Sequence, residues 1–477
     1  MRGNGIVRAL ASCLVGLLVV SSAAAAVKLP AVFSDNMILQ REQAVPVWGW
    51  ADPDEELTVT IAGQTAKAKA GKDGRWQLKL PALQAGGPHE MTIACPHGKT
   101  TLKNVLVGEV WLCSGQSNMQ WPVAASVNAQ QEIAAANYPK IRLFTVKQKT
   151  ADQPQDNCEG SWSECSPQSV PGFSAVGYFF IRHLHKELGV PAGMINTSWG
   201  GTPAEAWTSR KSLESEASLK PMLDRWANPP EKQANSPHRP AYLYNAMIAP
   251  VAPFAIRGAI WYQGESNVSR AYQYRTLFPL MIRDWRAAWG QADLPFGFVQ
   301  LAPFRYGGQD PACCAELWEA QTMTLGLPNT GMAVTTDISD IKDIHPKNKQ
   351  DVGLRLGLWA LAKVYGKDLV YSGPIYKSMA VEGNKVRVRF DHAAGLKTRD
   401  GKEPSDFTIA GSDQTFQPAK TVIDGQTVVV SSEAVPQPVA VRFAWRDTAE
   451  PNLCNQAGLP ASPFRTDQWK GLTEGNH

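Results

Sequence analysis

The sequence is poor in several features that would point to particular classes of protein. After residue 30 it has no apolar run near the length of about 20 residues that a membrane-spanning helix needs. Its 47 basic and 43 acidic side chains give a formal net charge of only +4. It has eight histidines and eight cysteines, and no CxxC pair. We therefore expect no nucleic-acid partner, no membrane domain in the mature protein and no zinc site built from paired cysteines.

The one long apolar run lies at the N-terminus. Residues 1–26, "MRGNGIVRALASCLVGLLVVSSAAAA", combine a basic start, an apolar stretch from Ile6 to Val20 and a tract of small residues. This pattern is typical of a signal peptide. A retained anchor is the alternative, but the run is short and ends in alanines rather than basic residues. We predict cleavage after about Ala26 and a soluble protein that is periplasmic or secreted.

The cysteines give limited information about redox chemistry. Cys13 leaves with the signal peptide, so an odd number, seven, remains in the mature chain. Cys158 and Cys165 flank "EGSWSE" and could close a small disulfide loop in an oxidising compartment. Cys113 stands inside an apolar run, where a buried small side chain is the simpler interpretation.

Hydrophobic patterning divides the chain into three parts after the signal peptide. Residues 27–104 contain short alternating segments such as "AVPVWGW" and "RWQLKL", which predict a β-sandwich-like domain, and residues 369–477 return to that texture. Between them, residues 105–368 alternate buried-strand patterns with amphipathic helix-length segments. That order predicts an α/β domain with a mostly parallel sheet and helices on both faces.

Polar clusters follow four strands of the predicted α/β domain. They are "SGQSN", "WGGT", "YQGESN" and "DISDIKDIH". Because the carboxyl ends of parallel strands meet at one edge of a sheet, we expect these clusters to converge on one crevice.

Ser117 in the first cluster and His345 in the last are the candidate nucleophile and base. A serine hydroxyl attacks a carbonyl efficiently only when a base removes its proton. His345 is the one histidine that follows a strand of the α/β region; the others lie in the β-rich parts, on a helix, in a loop or at the terminus. The alternative role for Ser117 is a turn or helix N-cap.

An acidic residue near His345 would hold the imidazole in the required tautomer. Asp343, two residues before the histidine, is the predicted partner, with Asp337 and Asp340 as fallbacks. A divalent cation bound by these three carboxylates is a rival interpretation.

The remaining requirement is a set of donors for the charge that develops on the carbonyl oxygen. The candidates are the backbone amide of Ser117, those of Gly200 and Gly201, and the side-chain amide of Gln263 or Asn267. Glu265 either holds neighbouring donors in place or acts on the substrate. The aromatic residues beside these clusters are candidate walls of a sugar site, namely Trp121, Trp199 and Tyr262.

Together these motifs resemble the SGNH hydrolase superfamily and, within it, the sialate O-acetylesterase family. The phrases that carry the resemblance are "GEVWLCSGQSNMQWP", "NTSWGGTPAEAW", "IWYQGESN" and "DIHPKNKQDVGLRL", with flanking text at both ends of the mature chain. The superfamily's usual Gly-x-Asn-Asp phrase is missing and "QGESN" stands in its place. An α/β-hydrolase elbow is less consistent, because Met119 replaces the last glycine of G-x-S-x-G.

The resemblance implies a three-layer α/β/α domain and a serine esterase that removes acetyl groups from a sugar without a metal or other cofactor. It implies that Ser117 is the nucleophile, His345 the base, Asp343 its partner, and Gln263 the side-chain donor in preference to Asn267. Acetylated sialic acid, acetylxylan and acetylated pectin all offer the same ester, so the sugar stays open.

Two functions outside this prediction also fit parts of the pattern. One is a carbohydrate-binding protein that uses its aromatic residues and cuts no bond; its candidates are Trp121, Trp199, Trp207, Trp261 and Tyr262. The other is a peptidase or lipase on the same fold.

Overall fold

The computed structural model describes Met1 and residues 27–477. The predicted signal peptide and its cleavage point therefore lie outside the described residues, apart from Met1. Within the described part of the chain, no helix is long and apolar enough to cross a membrane.

The N-terminal part is built from short strands whose buried and exposed residues alternate, as the sequence pattern predicts. The strands are β1 (Ile38–Gln40), β2 (Val45–Trp50), β3 (Glu56–Ile61), β4 (Gln64–Lys69), β5 (Arg75–Leu80) and β6 (Gly86–Cys95). β2 and β5 pair with each other, while β3 lies between β4 and β6. The alternation lets each strand bury one face and leave the other in water.

One long strand, β7 (Gly98–Gly115), joins this part to the central sheet. Its first half pairs with β6, and its second half lies in the middle of the parallel sheet. The predicted boundary at residues 104 and 105 falls inside this strand, and one continuous apolar core spans both sides of it. The strand end that carries Ser117 is therefore anchored by two packed units.

The central sheet is parallel except at one edge. Its other strands are β8 (Tyr138–Thr145), β9 (Trp162–Cys165), β10 (Ala192–Asn196), β11 (Gly258–Tyr262), β12 (Phe296–Val299) and β13 (Thr330–Ala333). The order is β13-β12-β11-β7-β10-β8-β9, and only the β8–β9 pair is antiparallel. β7, β10 and β11 are neighbours, so three of the four polar clusters emerge side by side.

Helices cover both faces of this sheet. They are α1 (Ser117–Gln120), α2 (Ala129–Ala134), α3 (Ala175–Leu188), α4 (Arg210–Glu214), α5 (Lys220–Asp224), α6 (Ala271–Trp289), α7 (Ala312–Met323) and α8 (Lys349–Lys363). On one face Trp111 of β7 packs against Phe180 of α3 and Trp359 of α8. On the other face Trp261 of β11 packs against Trp285 of α6. The predicted three-layer α/β/α domain is confirmed.

The C-terminal part is β-rich, as predicted, with its own apolar core. Its strands are β14 (Ile375–Glu382), β15 (Lys385–Asp391), β16 (Lys397–Thr398), β17 (Phe407–Ala410), β18 (Gln417–Pro418), β19 (Lys420–Asp424), β20 (Thr427–Ser431), β21 (Ala440–Phe443), β22 (Leu453–Cys454) and β23 (Phe464–Arg465). Two antiparallel sheets of four strands each form most of this part.

The suggested disulfide between Cys158 and Cys165 is not formed. All seven cysteines of the described chain are free thiols. Cys165 is held at the end of β9, opposite Tyr138 of β8, and its Sγ faces the carbonyl of Ala136. Cys113 is fully buried in β7, which confirms its interpretation as a small core residue.

A buried ion cluster around Glu109 of β7, level with the first residue of β10 in the central sheet, gives a stability prediction. The fully buried Glu109 of β7 accepts hydrogen bonds from Arg41 (2.6 Å), Arg257 (2.9 Å) and Tyr365 (2.9 Å). Burial alone would raise the pKa of Glu109, but the two guanidinium groups outweigh it and hold that pKa below its usual value. We expect Glu109→Ala to lower the free energy of unfolding by about 3 kcal/mol, because it removes the buried counter-charge of two guanidinium groups and leaves them only the partly exposed Glu42.

Urea denaturation of the variant beside wild type measures this effect. The exposed pair of Lys147 and Glu159 offers a matched control, so Glu159→Ala should leave the denaturation midpoint unchanged. Equal midpoints for Glu109→Ala and wild type would contradict the prediction.

Candidate active site

Ser117 is placed by a sharp turn at the carboxyl end of β7. Gly115 has a φ of +137°, and a Cβ there would lie 2.1 Å from the carbonyl oxygen of Tyr262, so a side chain would clash with β11. Gln116 is the N-cap of α1, which makes Ser117 the first helical residue rather than the cap. The serine side chain is thereby free to face the loop that follows β13.

That loop brings His345 to Ser117. His345 Nε2 lies 2.8 Å from Ser117 Oγ, a hydrogen-bond distance, although 228 residues separate the two in sequence. The imidazole stacks on the indole of Trp121, with ring centroids 4.9 Å apart and planes inclined by 18°. The side chain of His345 is 27% exposed, so its ring stands at the surface of a cleft.

Asp343 lies beside His345 but does not form a short bond to its ring. One carboxylate oxygen of Asp343 accepts the backbone amide of His345 at 2.9 Å and lies 3.8 Å from His345 Nδ1. The fallback Asp337 is held by two hydrogen bonds of 2.7 Å from Arg355. Asp340 accepts the backbone amide of Lys342. Of the three aspartates, only Asp343 is within 4 Å of the imidazole in the described structure.

The metal alternative finds little support in this loop. The three aspartates have different partners and do not converge on one point. Within the described residues, one group of acidic and histidine side chains comes close enough together to hold an ion. This group is not in the His345 loop. It consists of Asp52, Glu55 and His97, in the N-terminal part.

The Asp343 geometry makes a graded prediction. We expect Asp343→Asn to lower kcat/KM by about 100-fold. Replacing a tightly bonded triad aspartate lowers kcat by ~10⁴-fold. The loss should be smaller here because the contact between Asp343 and His345 Nδ1 is long. Initial rates on p-nitrophenyl acetate measure this. Asp340→Asn is the matched control in the same loop and should change the rate less than threefold. A larger loss for Asp340→Asn than for Asp343→Asn would contradict the assignment.

The candidate backbone donors are the amides of Ser117, Gly200 and Gly201. The amide of Ser117, at the first position of α1, has no acceptor within its own helix. Gly200 lies against Ser117, since a Cβ on this glycine would be 3.3 Å from Ser117 Cβ. In this structure the Gly200 amide donates to Gln120 Oε1 at 2.7 Å. Gly201 has a φ of +75°, the left-handed conformation that glycine adopts without strain.

The two candidate side-chain donors lie deeper than the sequence suggests. Gln263 is fully buried, and its amide nitrogen donates to Thr202 O (3.2 Å) and Asn267 Oδ1 (2.7 Å). Asn267 is also buried and donates to Glu205 at 3.0 Å. The structure therefore brings the two amides together but directs both to interior partners, behind the Gly200–Gly201 turn.

Glu265 belongs to a buried network behind the serine. Asn118 donates to Glu265 Oε1 at 2.5 Å and to the carbonyl of Ile344 at 2.9 Å, and its own oxygen accepts from Lys349 at 2.5 Å. These bonds tie the turn that carries Ser117 to the loop that carries His345. Burial raises the pKa of Glu265 and lowers that of Lys349 to about 7.

Lys349 is the residue of this network that sequence reasoning missed. It begins α8, where a positive charge opposes the helix dipole, and it is fully buried. Burial and the nearby charge of Lys349 lower the pKa of His345, while Asp343 opposes them. Helical spacing offered a signal, because Lys349 shares the buried face of α8 with Val352 and Gly353.

The candidate aromatic residues separate into half-buried and interior groups. Trp121 lines a cavity of about 700 Å³ together with Ser117 and His345. Gln120 and Asn196, which the sequence-based set omits, line the same cavity. Trp199 is half-buried and packs on the core, and the remaining three candidate aromatics are interior: Trp207, Trp261 and Tyr262. We call the cavity lined by Ser117, Trp121 and His345 the catalytic cavity.

Comparison with known proteins identifies the family. The model of the family described as carbohydrate esterase, sialic acid-specific acetylesterase, matches residues 107–362. The chain belongs to this family. It is 31% identical to mouse sialate O-acetylesterase, over 91% of this chain and 93% of that protein. It is also 31% identical to human sialate O-acetylesterase, over 94% and 95% of the two chains.

A solved structure agrees with this result. A carbohydrate acetylesterase from Xanthomonas citri is 43% identical and superposes with a TM-score of 0.87, over 93% of this chain and all of that one. The resemblance predicted from the motifs is thus confirmed. This member of the carbohydrate esterase family is a carboxylic ester hydrolase, which favours the esterase prediction over the sugar-binding protein.

Proposed function

We propose that this esterase is an exported serine hydrolase that removes O-acetyl groups from sugars through an acetyl-enzyme on Ser117. The 2.8 Å contact between Ser117 Oγ and His345 Nε2 is the observation that carries the proposal. The catalytic cavity at this pair is lined by Trp121, whose indole holds the His345 imidazole by stacking and adds an aromatic surface to the wall. The relatives described as sialate O-acetylesterases and as a carbohydrate acetylesterase support an acetylated sugar as substrate.

The reaction follows from the positions of these groups. His345 Nε2 accepts the Ser117 proton while Ser117 Oγ attacks the acetyl carbonyl. The amides of Ser117 and of the Gly200–Gly201 turn are suited to donate to the developing oxyanion, with Gln120 moving off Gly200. The sugar oxygen leaves with the proton from His345. Water then cleaves the acetyl-enzyme by the same route, releasing acetate.

Acetate release from a panel of glycans tests the substrate. The panel contains O-acetylated sialic acid, acetylated xylo-oligosaccharides and acetylated pectic oligosaccharides, each with p-nitrophenyl acetate as the reference ester. We expect acetate from at least one glycan, with longer acyl esters and peptides cleaved poorly. An enzyme that cleaves p-nitrophenyl acetate but none of the glycans would contradict the sugar assignment.

Export is part of the proposal and has its own test. The basic start, apolar run and alanine tract of residues 1–26 support cleavage after about Ala26. N-terminal sequencing of the protein from a periplasmic or culture fraction should begin at Val27. Recovery of the chain only in the cytosol, with Met1 intact, would contradict export.

The pH dependence of kcat/KM follows from the surroundings of His345. The imidazole must be neutral to accept the serine proton, so activity falls as the pH drops through its pKa. Because burial and Lys349 lower that pKa, we expect the acidic limb below the usual histidine value of about 6.5. Lys349→Met removes the facing cation and should shift the limb to higher pH.

The matched control for this shift is Lys347→Met, which removes an exposed lysine two residues away. Solvent screens that charge, so the acidic limb should stay in place. Rates between about pH 4.5 and 8 on p-nitrophenyl acetate give both profiles. The electrostatic role of Lys349 would be ruled out by equal limbs for Lys349→Met and Lys347→Met.

A further inference from the structure

A second cavity, of about 460 Å³, lies beside the catalytic cavity. Its lining includes Gly201, Glu205, Arg225, Trp226, Ser266 and Arg270. Gly201 is adjacent in the chain to Gly200, which contacts Ser117. Ser198, three residues before Gly201, lines the catalytic cavity, and Ser266 Oγ donates to the carbonyl of Gly201, so the segment from Ser198 to Gly201 runs between the two cavities. We call this space the flanking cavity.

The floor of the flanking cavity is a fixed ion pair. Glu205 is 2% exposed and accepts from Arg270 at 2.7 Å and from Asn267 at 3.0 Å. Arg270 also donates to Gln273 at 2.9 Å. The charge of Glu205 is therefore already balanced, and the floor offers a rigid polar surface rather than a free carboxylate.

The wall, in contrast, has groups without partners in the described structure. Arg225 and Trp226 follow α5, and the Arg225 guanidinium forms no ion pair or hydrogen bond with any described residue, although Arg270 and Glu205 are its charged neighbours. Trp226 is half-buried and presents its indole to the cavity. A flat aromatic surface beside a planar set of N–H donors matches the apolar face and ring hydroxyls of a pyranose.

We propose that the flanking cavity binds a sugar residue linked to the acetylated one, with Trp226 against its ring and Arg225 donating to its hydroxyls. The inference rests on the proposed function, because it assumes that the acetylated residue occupies the catalytic cavity. Its consequence is a preference for acetylated oligosaccharides over acetylated monosaccharides. The size of the cavity is in the range of small-molecule sites, which fits one ring.

The experiment compares three substrates with the variants Trp226→Ala and Arg225→Ala. The substrates are the acetylated oligosaccharide with the highest kcat/KM in the panel, the acetylated monosaccharide of the same sugar, and p-nitrophenyl acetate. We expect each variant to raise KM for the oligosaccharide about 5- to 10-fold and to leave kcat/KM for the two small esters within twofold. Arg225→Lys should restore part of the oligosaccharide affinity.

Trp50→Ala is the matched control, since this half-buried tryptophan of the N-terminal part lines a different cavity, between that part and the α/β domain. It should change none of the three activities. If both variants keep the wild-type KM for the oligosaccharide, the inference is overturned. Wild-type acetate release from the glycan would still support the proposed function. An equal loss on all three substrates would also overturn it, because the residues would then shape the catalytic cavity. No acetate release by wild type from any glycan would instead contradict the proposed function.

Discussion

Ser117→Ala should lower acetate release by about 10⁶-fold, the loss seen when the serine of a comparable triad is removed. Among the described residues, Ser117 has the side-chain hydroxyl that lies within hydrogen-bond distance of His345 Nε2. What remains after the substitution is the donation of the backbone amides and the binding of the sugar. Initial rates on p-nitrophenyl acetate and on the best acetylated glycan measure the effect.

A serine in the same cavity provides the control. Ser198 lines the catalytic cavity, but its hydroxyl donates to Asn196 rather than to His345. Ser198→Ala should therefore keep activity within about tenfold of wild type. Retention of comparable activity by Ser117→Ala, with an unchanged melting temperature, would rule out the nucleophile assignment.

His345→Ala is expected to be nearly as damaging as Ser117→Ala, because the serine hydroxyl loses its base. The informative measurement is the double variant. Residues that act as a unit give non-additive losses, so Ser117→Ala combined with His345→Ala should fall no further than the more damaging single variant. Rates at several pH values should also lose the acidic limb that His345 supplies.

His89→Ala is a suitable histidine control, since this residue lies on β6, far in the fold from β13 and its loop. Its activity and pH profile should match those of wild type. A double variant that loses several further orders of magnitude would mean that Ser117 and His345 act in separate steps, contrary to the proposed mechanism.

The buried network of Asn118, Glu265 and Lys349 places two ionisable side chains in the interior. Lys349 is enclosed at a helix start and bonded to Asn118, which also donates to Glu265. Burial of a lysine and a glutamate is unfavourable unless they are hydrogen-bonded and paired. The network links the turn of Ser117 to the loop of His345, and so fixes these two residues relative to each other.

Much of this architecture could be predicted from the sequence because it depends on local patterns. The alternation of "RWQLKL" matches β5, and the amphipathic helix-length segments of residues 105–368 match helices such as α3, whose C-cap is Gly189. The alternation of strand and helix segments along residues 105–368 likewise predicts the parallel sheet. The scarcity of histidine then pointed to His345, because few other candidates existed.

Other features depend on contacts that no local pattern encodes. The sequence placed Gln263 and Asn267 after a strand that ends at the site, but only the structure directs their amides inward to Thr202 and Glu205. Tyr262 sits in the same phrase, yet β11 is a central strand and buries it. A short phrase shows which side chains are near an edge of the sheet, but not which way each one faces.

The sequence by itself determined the family, the three-layer fold and the pairing of a serine with a distant histidine, because motif identity and hydrophobic period are properties of the chain. Only the tertiary structure decided that Asp343 lies 3.8 Å from the imidazole and that the charge of Lys349, at the buried start of α8, lowers the pKa of His345. It also decided that Arg225 and Trp226 border a second cavity. These depend on how separate segments pack in space, where a change of one ångström decides whether two groups bond.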